Sequence, residues 1–489
     1  MKHLFSLKSL ILILSVSLAY NLSYAQKLSK LKKATLQEVE GLRDEVQSMA
    51  ESLWQYSETA LFEHKSCNLL ISKLENAGFT IEKGVADMPT AFVASYGQGQ
   101  PIIGILAEYD ALPGVGNAPA PEKKGRDDGI TSGHGCGHNL FGAATVGSAI
   151  AIKQIMEKQN LKGTIRLYGC PAEETVIGKV YMAKAGLFDD LDAALHWHPS
   201  TETQAWNRTG NAMNNFSVEF YGISAHGAAD PWNGRSALDA VELMNYGVNL
   251  MREHVEPTTR IHYVIPNAGE APNVVPSYAK VWYYVRDITR DKVEKLYDRL
   301  LKIAEGAAMA TETEFKVSLF TGVHEVLSNE PLLKEIQTNM ELLGPIQFTE
   351  EEQQWAKTMQ KASGKEEVGL KGEIKPLKDE IPGHRGGGST DVAEVSYITP
   401  TSGFSATSAP FGIPWHSWQA SASHGTSIGH KSAQFATKLL AITGIEMLTN
   451  EKLLEAAKSD FKERTKGEPY KCPIPQDQKP PLPDTASGN

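Results

Sequence analysis

Ile102-Ile103-Gly104-Ile105-Leu106-Ala107-Glu108-Tyr109-Asp110 runs from an uncharged apolar stretch straight into two carboxylates. A short apolar run of this kind reads as a strand buried in a sheet, with the acids standing just past its end. The arrangement recurs: Gly163–Tyr168 leads to Glu173-Glu174, and Asp192–Trp197 leads to His198. Between these runs the spacing of apolar residues is helical, over Asn139–Lys158 and Gly178–Ala185. Strands alternating with helices predict an α/β domain with a mostly parallel sheet flanked by helices. In such sheets the strand ends are where sites form, so the position of these acids and this histidine matters more than any one motif. Thr90–Tyr96 adds a strand upstream. Before it, helical spacing from about Thr35 to Leu74 stops at Ala77-Gly78-Phe79, which predicts an N-terminal helical layer.

A second unit begins near Met213. Phe216–Tyr221, Ile261–Ile265, Ala279–Arg286 and Glu314–Phe320 read as strands, and Ser236–Glu253 and Lys292–Ala310 as helices. Together they predict a compact α+β module over residues 213–327. Ser389–Tyr397, Gly403–Ser405 and a helix at Lys431–Met447 then resume the first domain, which is therefore discontinuous, 26–212 and 328–465. Residues 344–388 are charged and Gly-rich, with a weak helix near Glu351–Gln360, and read as a long loop or lid. Residues 466–489 carry several prolines and no periodicity, so they read as a disordered tail or a segment lying on the surface.

At 489 residues with 41% hydrophobic content, the chain can bury cores of ordinary domain size, which excludes disordered and collagen-like classes. Residues 1–25 read as a secretory signal: Lys2, His3 and Lys8 make a basic start, Leu10 to Ala19 is apolar, and Ser23 and Ala25 are small residues at the cleavage positions. The protein is therefore expected to be exported, periplasmic or secreted, with no membrane attachment once the signal is removed. Cleavage leaves 46 basic against 58 acidic residues. That balance disfavours nucleic acid as a partner. Cys67, Cys136, Cys170 and Cys472 show no disulfide-framework spacing.

Gly133-His134-Gly135-Cys136-Gly137-His138-Asn139 places two histidines and a cysteine within five residues, and the glycines let the backbone turn so that side chains converge. Metal ligation is the natural reading, with His134 the weakest of the three. Pro171-Ala172-Glu173-Glu174 puts adjacent carboxylates after a strand, where one can ligate while the other serves as a base. Asp110 is placed to orient a ligating histidine. Leu195-His196-Trp197-His198-Pro199 reaches the same rim. Downstream, Trp415-His416-Ser417-Trp418 fits a ligand or a buried, stacked histidine equally, and His384, His424 and His430 compete for the same place.

Taken in order, Ala107 to Pro113, His134 to Asn139, Pro171 to Glu174, Ser224-Ala225-His226-Gly227-Ala228 and Asn273-Val274-Val275-Pro276 resemble the M20 metallopeptidase family in its amidohydrolase branch. The likeness runs from about Glu38 to Met447. It implies a metal-binding catalytic domain with an inserted dimerisation (lid) domain, and two divalent ions per subunit, Zn or Mn. Carried over by position, Cys136, His138, Glu174, His198 and His416 are the implied metal ligands. Glu173 is the implied general base, with Asp110 counted among the catalytic residues for orienting a ligating histidine. His226 resembles a histidine that reaches the partner subunit's site to polarise the scissile carbonyl, and Asn273 and Arg286 resemble substrate-binding residues.

Two positions depart from the branch: Glu108 stands where Asp is common and Asn139 where Asp is frequent. The implied activity is hydrolysis of an amide bond in a small-molecule substrate, an N-acyl amino acid or an aminobenzoyl-glutamate-like compound, by a homodimer. Rival readings are an exported metallo-dipeptidase or carboxypeptidase, and an inactive binding protein on the same fold. The signal reading predicts a mature chain starting at Gln26. Intact-mass measurement of exported protein checks it, and an envelope-bound chain still carrying Met1 would instead mean an anchor.

Overall fold

The computed structural model describes residues 29–483, apart from 206, 208–209 and 379–386. The expected signal at 1–25 and His384 lie outside the described residues. Three helices come first among the described residues, α1 (Lys30–Gly41), α2 (Arg43–Tyr56) and α3 (His64–Asn76). The run expected to be helical from Thr35 to Leu74 is thus broken. Ser57 takes a left-handed φ of 43° that ends α2, and residues 57–63 then cross to the sheet, where Thr59 pairs with Ala111.

Strands β1 (Thr80–Lys83), β2 (Phe92–Gln98) and β3 (Ile102–Glu108) precede the long helix α4 (His138–Gln159), followed by β4 (Gly163–Cys170), α5 (Gly178–Lys184), β5 (Ala193–Ser200) and β6 (Gln204–Ala205). The inserted module comprises β7 (Ala212–Tyr221), α6 (Ala237–Met251), β8 (Arg260–Asn267), β9 (Tyr278–Asp287), α7 (Arg290–Thr311) and β10 (Glu314–Val323). The chain then runs through α8 (Glu330–Leu343), α9 (Glu350–Ala362), α10 (Val392–Ser396), β11 (Thr401–Thr407), α11 (Trp418–His424), α12 (Ser427–Thr449) and α13 (Glu451–Arg464).

The first sheet has seven strands in the order β1-β2-β4-β3-β5-β11-β6. Its four central strands, β4 to β11, are parallel, whereas β1, β2 and β6 pair antiparallel at the edges. The sheet is therefore mixed, with its parallel part at the centre. The parallel strands are joined through helices that cover the sheet, and the short antiparallel edges need no such crossover. Helix α4 packs between the sheet and α2 and α12, and 17 of its 22 residues are buried. Its Gly and Ala content permits this: a Cβ on Gly147 would lie 2.4 Å from Val46.

The module is an antiparallel sheet, β10-β7-β9-β8, with α6 and α7 on one face. Strand β9 alternates strictly, burying Ala279, Val281, Tyr283 and Val285 against the helices and leaving Tyr278, Lys280, Trp282, Tyr284 and Arg286 on the other face. Within 344–388, α9 is a full helix and not a loop, closed at its start by a capping box between Thr349 and Glu352. Residues 466–483 lie along the surface. Ile474 is buried, Tyr470 donates to Glu394 at 2.5 Å and Gln478 donates to the Phe320 carbonyl at 3.1 Å, so the segment ties α10 to the end of β10.

Candidate metal centre

The parallel register aligns the strand ends that carry the chemistry. Glu108 of β3 pairs with Cys170 of β4, so Asp110 and Ala172 emerge side by side. Gly137 takes a left-handed φ of 88° before α4, and a Cβ there would lie 2.8 Å from the Pro199 ring. This turn brings Cys136 and His138 to the same place. His138 Nδ1 lies 2.8 Å from Asp110 Oδ1, which directs Nε2 inward, 3.3 Å from Glu108 Oε2 and 3.7 Å from Glu173 Oε2. Cys136 Sγ lies 3.3 Å from His198 Nε2, and His416 Nε2 lies 3.4 Å from Glu174 Oε2. His416 itself has a left-handed φ of 54°, a strained backbone of the kind found where a side chain must be aimed.

The donor atoms fall into three groups, each within 4.8 Å: Cys136, His138 and His198; Cys136, Glu174 and His416; and Glu108, His138 and Glu173. Cys136 belongs to the first two, so one sulfur faces two adjacent positions. A cleft of about 370 Å³ opens over them, and Cys136, Glu173, His198, His416, Arg286 and Ser389 are among its walls.

Burial and mutual repulsion govern the charges. Burial, then the Glu108 carboxylate, raises Glu173 to about 7. Burial likewise raises Glu174 well above the carboxylate range and pushes the Cys136 thiol up. Burial, with a protonated His138 beside it, lowers His198 to about 3, leaving the neutral imidazole that ligation requires. At His138 burial opposes protonation, but Cys136 and Asp110 outweigh it. His138 Nε2 and Glu174 Oε1 are buried and make no hydrogen bond among the described residues. A crowd of buried anionic donors with such unfilled atoms calls for added positive charge, and thiolate, imidazole and carboxylate together fit a divalent transition ion.

One buried cation is already present. Lys179 is fully enclosed, with Nζ 2.7 Å from Glu108 Oε1 and 2.5 Å from Asp391 Oδ1, and its backbone N–H donates to Asp391 Oδ2 at 2.8 Å. Burial alone would lower its pKa, but Asp391 and Glu108 outweigh that and raise it. Nothing in the sequence marked Lys179 as buried, and Asp391 and Glu108 stood there without a role. Glu63 was also missed, because it lies inside a stretch that reads as continuous helix.

The structure brings together Asp110, Cys136, His138, Glu173, Glu174, His198, His416 and Arg286. His134 stands apart from the three groups. Its Nε2 is 3.0 Å from the Leu53 carbonyl and its Nδ1 accepts the Asn139 N–H. His196 packs over Gly403, where a Cβ would come within 2.5 Å of the ring. His424 stacks on Trp415 and lies 2.7 Å from the His134 carbonyl, and His430 approaches Glu51. His226 and Asn273 are exposed neighbours on the module: Gly227 N–H donates to the Asn273 carbonyl, and neither residue lines the cleft among the described residues.

Fold and site thus define a metallohydrolase of the α/β class with an inserted module. Residues 104–359 match the model of the peptidase family M20/M25/M40. The chain is 36% identical to one of the subunits of the p-aminobenzoyl-glutamate hydrolase of Escherichia coli (strain K12), over 90% of this chain and 97% of that protein. It is 27% identical to the Xaa-Arg dipeptidase of Homo sapiens, over 91% and 95%. The fold matches the crystal structure of an aminobenzoyl-glutamate utilization protein from Klebsiella pneumoniae, with TM-score 0.57, 15% identity, and 84% of this chain and 97% of that one covered. It also matches a dinuclear metal binding peptidase of the M20 family from Bacillus subtilis, with TM-score 0.52, 17% identity, and 83% and 99% covered. The chain belongs to the peptidase family M20/M25/M40 and is a metal-dependent hydrolase of amide bonds.

Lys179→Met would leave Glu108 and Asp391 buried without their cation. It is expected to cost about 3–5 kcal/mol in urea unfolding, the range for breaking a buried pair, with Lys179→Met/Asp391→Asn recovering part of the loss. An unchanged midpoint in Lys179→Met would mean that the triad contributes no stability.

Proposed function

We propose that the protein is an exported homodimer that cleaves the amide bond of N-acyl amino acids, with aminobenzoyl-glutamate-like conjugates as the first substrates to test. The observation that carries this reading is Arg286. It lines the cleft beside the acid cluster, its Nε lies 3.1 Å from the Met213 sulfur, its guanidinium lies over the Tyr284 ring, and among the described residues no carboxylate lies within ion-pair range of it. A guanidinium so placed suits the carboxylate of the amino-acid product, and Tyr284 and Trp415 in the same walls suit a flat acyl group. The relative named for p-aminobenzoyl-glutamate supports this choice over a dipeptide.

Cys136, His138 and His198 would hold one divalent ion, and Cys136, Glu174 and His416 the second, Zn or Mn, with the shared thiolate favouring Zn. When bound, these ions supply Lewis-acid activation of water and of the scissile carbonyl. Glu173, raised to about 7, takes the proton of the attacking water and delivers it to the leaving amine. Asp110 keeps His138 in one tautomer. His226 Nδ1 accepts the N–H groups of Ala228 and Ala229, so its proton sits on Nε2, a donor suited to an oxyanion. Its exposed position supports action on a partner's site, with Asn273 beside it. The apolar residues Trp232, Tyr246, Leu250 and Val264, exposed on the same module, support pairing there.

A turnover screen over aminobenzoyl-glutamate, N-acyl amino acids and dipeptides, with and without chelator, tests the substrate class. Preference for dipeptides, or turnover insensitive to chelator, would sink it. Glu173→Gln should lose at least about 10²–10⁴-fold in kcat with metal content retained, whereas Glu174→Ala and His198→Ala should lower metal occupancy. Near-parental turnover in Glu173→Gln would remove the base. Mixing His226→Ala with Glu173→Gln should restore activity after subunit exchange, since one site of the mixed dimer then has both groups. Exchange seen by mass without recovery would refute the shared site.

A further inference from the structure

We infer that Glu63 is a positioning residue for Glu173, holding the turn that aims its carboxylate. The inference rests on Glu173 being the base proposed above. Glu63 lies in the break between α2 and α3, far along the chain from the site, and is fully buried. Its Oε1 accepts the Ala172 N–H at 2.9 Å and its Oε2 accepts the Thr90 hydroxyl at 3.0 Å. Thr90 is held in turn, because Tyr109 O–H donates to its carbonyl at 2.5 Å. Two residues beyond Ala172, the Glu174 N–H donates to Asp110 Oδ2 at 2.9 Å. The residues on either side of Glu173 are thus pinned by carboxylates from two other parts of the chain.

The turn needs pinning. Ala172 and Val176, which bracket Glu173-Glu174, have left-handed φ values of 57° and 51°, a conformation that residues with a Cβ adopt only when their surroundings impose it. Val176 is anchored by its N–H to the Glu173 carbonyl at 2.7 Å and by the Thr321 hydroxyl, which donates to its carbonyl at 2.6 Å. At Ala172 the N–H is held by Glu63. The Ala172 carbonyl accepts the Ile177 N–H at 3.1 Å and the Thr175 hydroxyl at 3.2 Å, both from within the turn, so loss of the Glu63 acceptor removes the hold from outside it and lets the Glu173 side chain swing off its present line. Glu63 lies outside the cleft walls, and its hydrogen bond to the site is made through the turn, at the Ala172 N–H.

The test uses the full-length, metal-loaded enzyme. Glu63→Leu should lower kcat on the order of 10²-fold, the scale of an approximately 1 Å misplacement, with KM and metal content close to the parent. Glu63→Gln, which keeps an oxygen where Ala172 donates, should restore most of the rate. In the metal-free protein, amide exchange across 172–176 should quicken in Glu63→Leu and stay slow in Glu63→Gln. If Glu63→Leu does not fold, Thr90→Val, which removes only the hydroxyl steadying Oε2, should still lower kcat at constant KM and quicken the same exchange.

Parental kcat in a folded Glu63→Leu or, failing that, in Thr90→Val would overturn the inference. So would a Glu63→Gln as slow as Glu63→Leu, or a matching loss of metal. Glu173→Gln run alongside separates the two ideas: if it stays active the base is wrong, and if it is dead while Glu63→Leu is fully active only the role of Glu63 falls.

Discussion

Asp110, itself buried, has one oxygen on His138 Nδ1 and the other on the Glu174 N–H. Through the first it sets which nitrogen of His138 faces Cys136 and Glu173. Through the second it places the backbone that carries both glutamates. The position is possible only because β3 and β4 are parallel and in a register that ends them together. An antiparallel pairing of the same two strands would send Asp110 and the Glu173-Glu174 turn to opposite ends of the sheet.

Charge is the second constraint. Glu108, Asp110, Glu173, Glu174 and the Cys136 thiol crowd around one imidazole, where burial disfavours their ionised forms. Lys179 offsets part of this on the side of Glu108 and Asp391, and in doing so joins β3, α5 and the start of α10. Ser389 and Thr390, just before Asp391, line the cleft. The same ion-pair cluster therefore connects the metal side of the site to its substrate side. On the side facing Cys136, His138 and Glu174 no lysine is enclosed among the described residues, and the donors there suit added divalent charge.

The inserted module contributes by alternation. Because β9 buries every second residue on α6 and α7, Tyr284 and Arg286 are left facing the cleft. Thr321, on β10 next to a register shift, reaches Val176 in the turn that carries the glutamates. Residues 470–478 lie across the same junction through Glu394 and Phe320. The module is therefore hydrogen-bonded to the catalytic turn itself, in addition to forming a wall of the cleft.

Much of this was legible along the chain wherever the signal is local. Apolar runs and their spacing located most strands and helices, and the clusters at 134–139 and 171–174 announced their chemistry because the residues that act together are neighbours there. Edge pairing was not legible, since β2 carries the same apolar signal whichever neighbour it takes. The structure makes α9 a complete, capped helix where the sequence suggested a weak one inside a long loop. Amino-acid order thus determined which donors this protein owns and which of them stand at strand ends. Only the tertiary structure decided that Glu63, Lys179 and Asp391 serve them. A buried carboxylate or ammonium is defined by partners brought to it across 109 residues, as from Glu63 to Ala172, or 212, as from Lys179 to Asp391, and no local pattern records that enclosure.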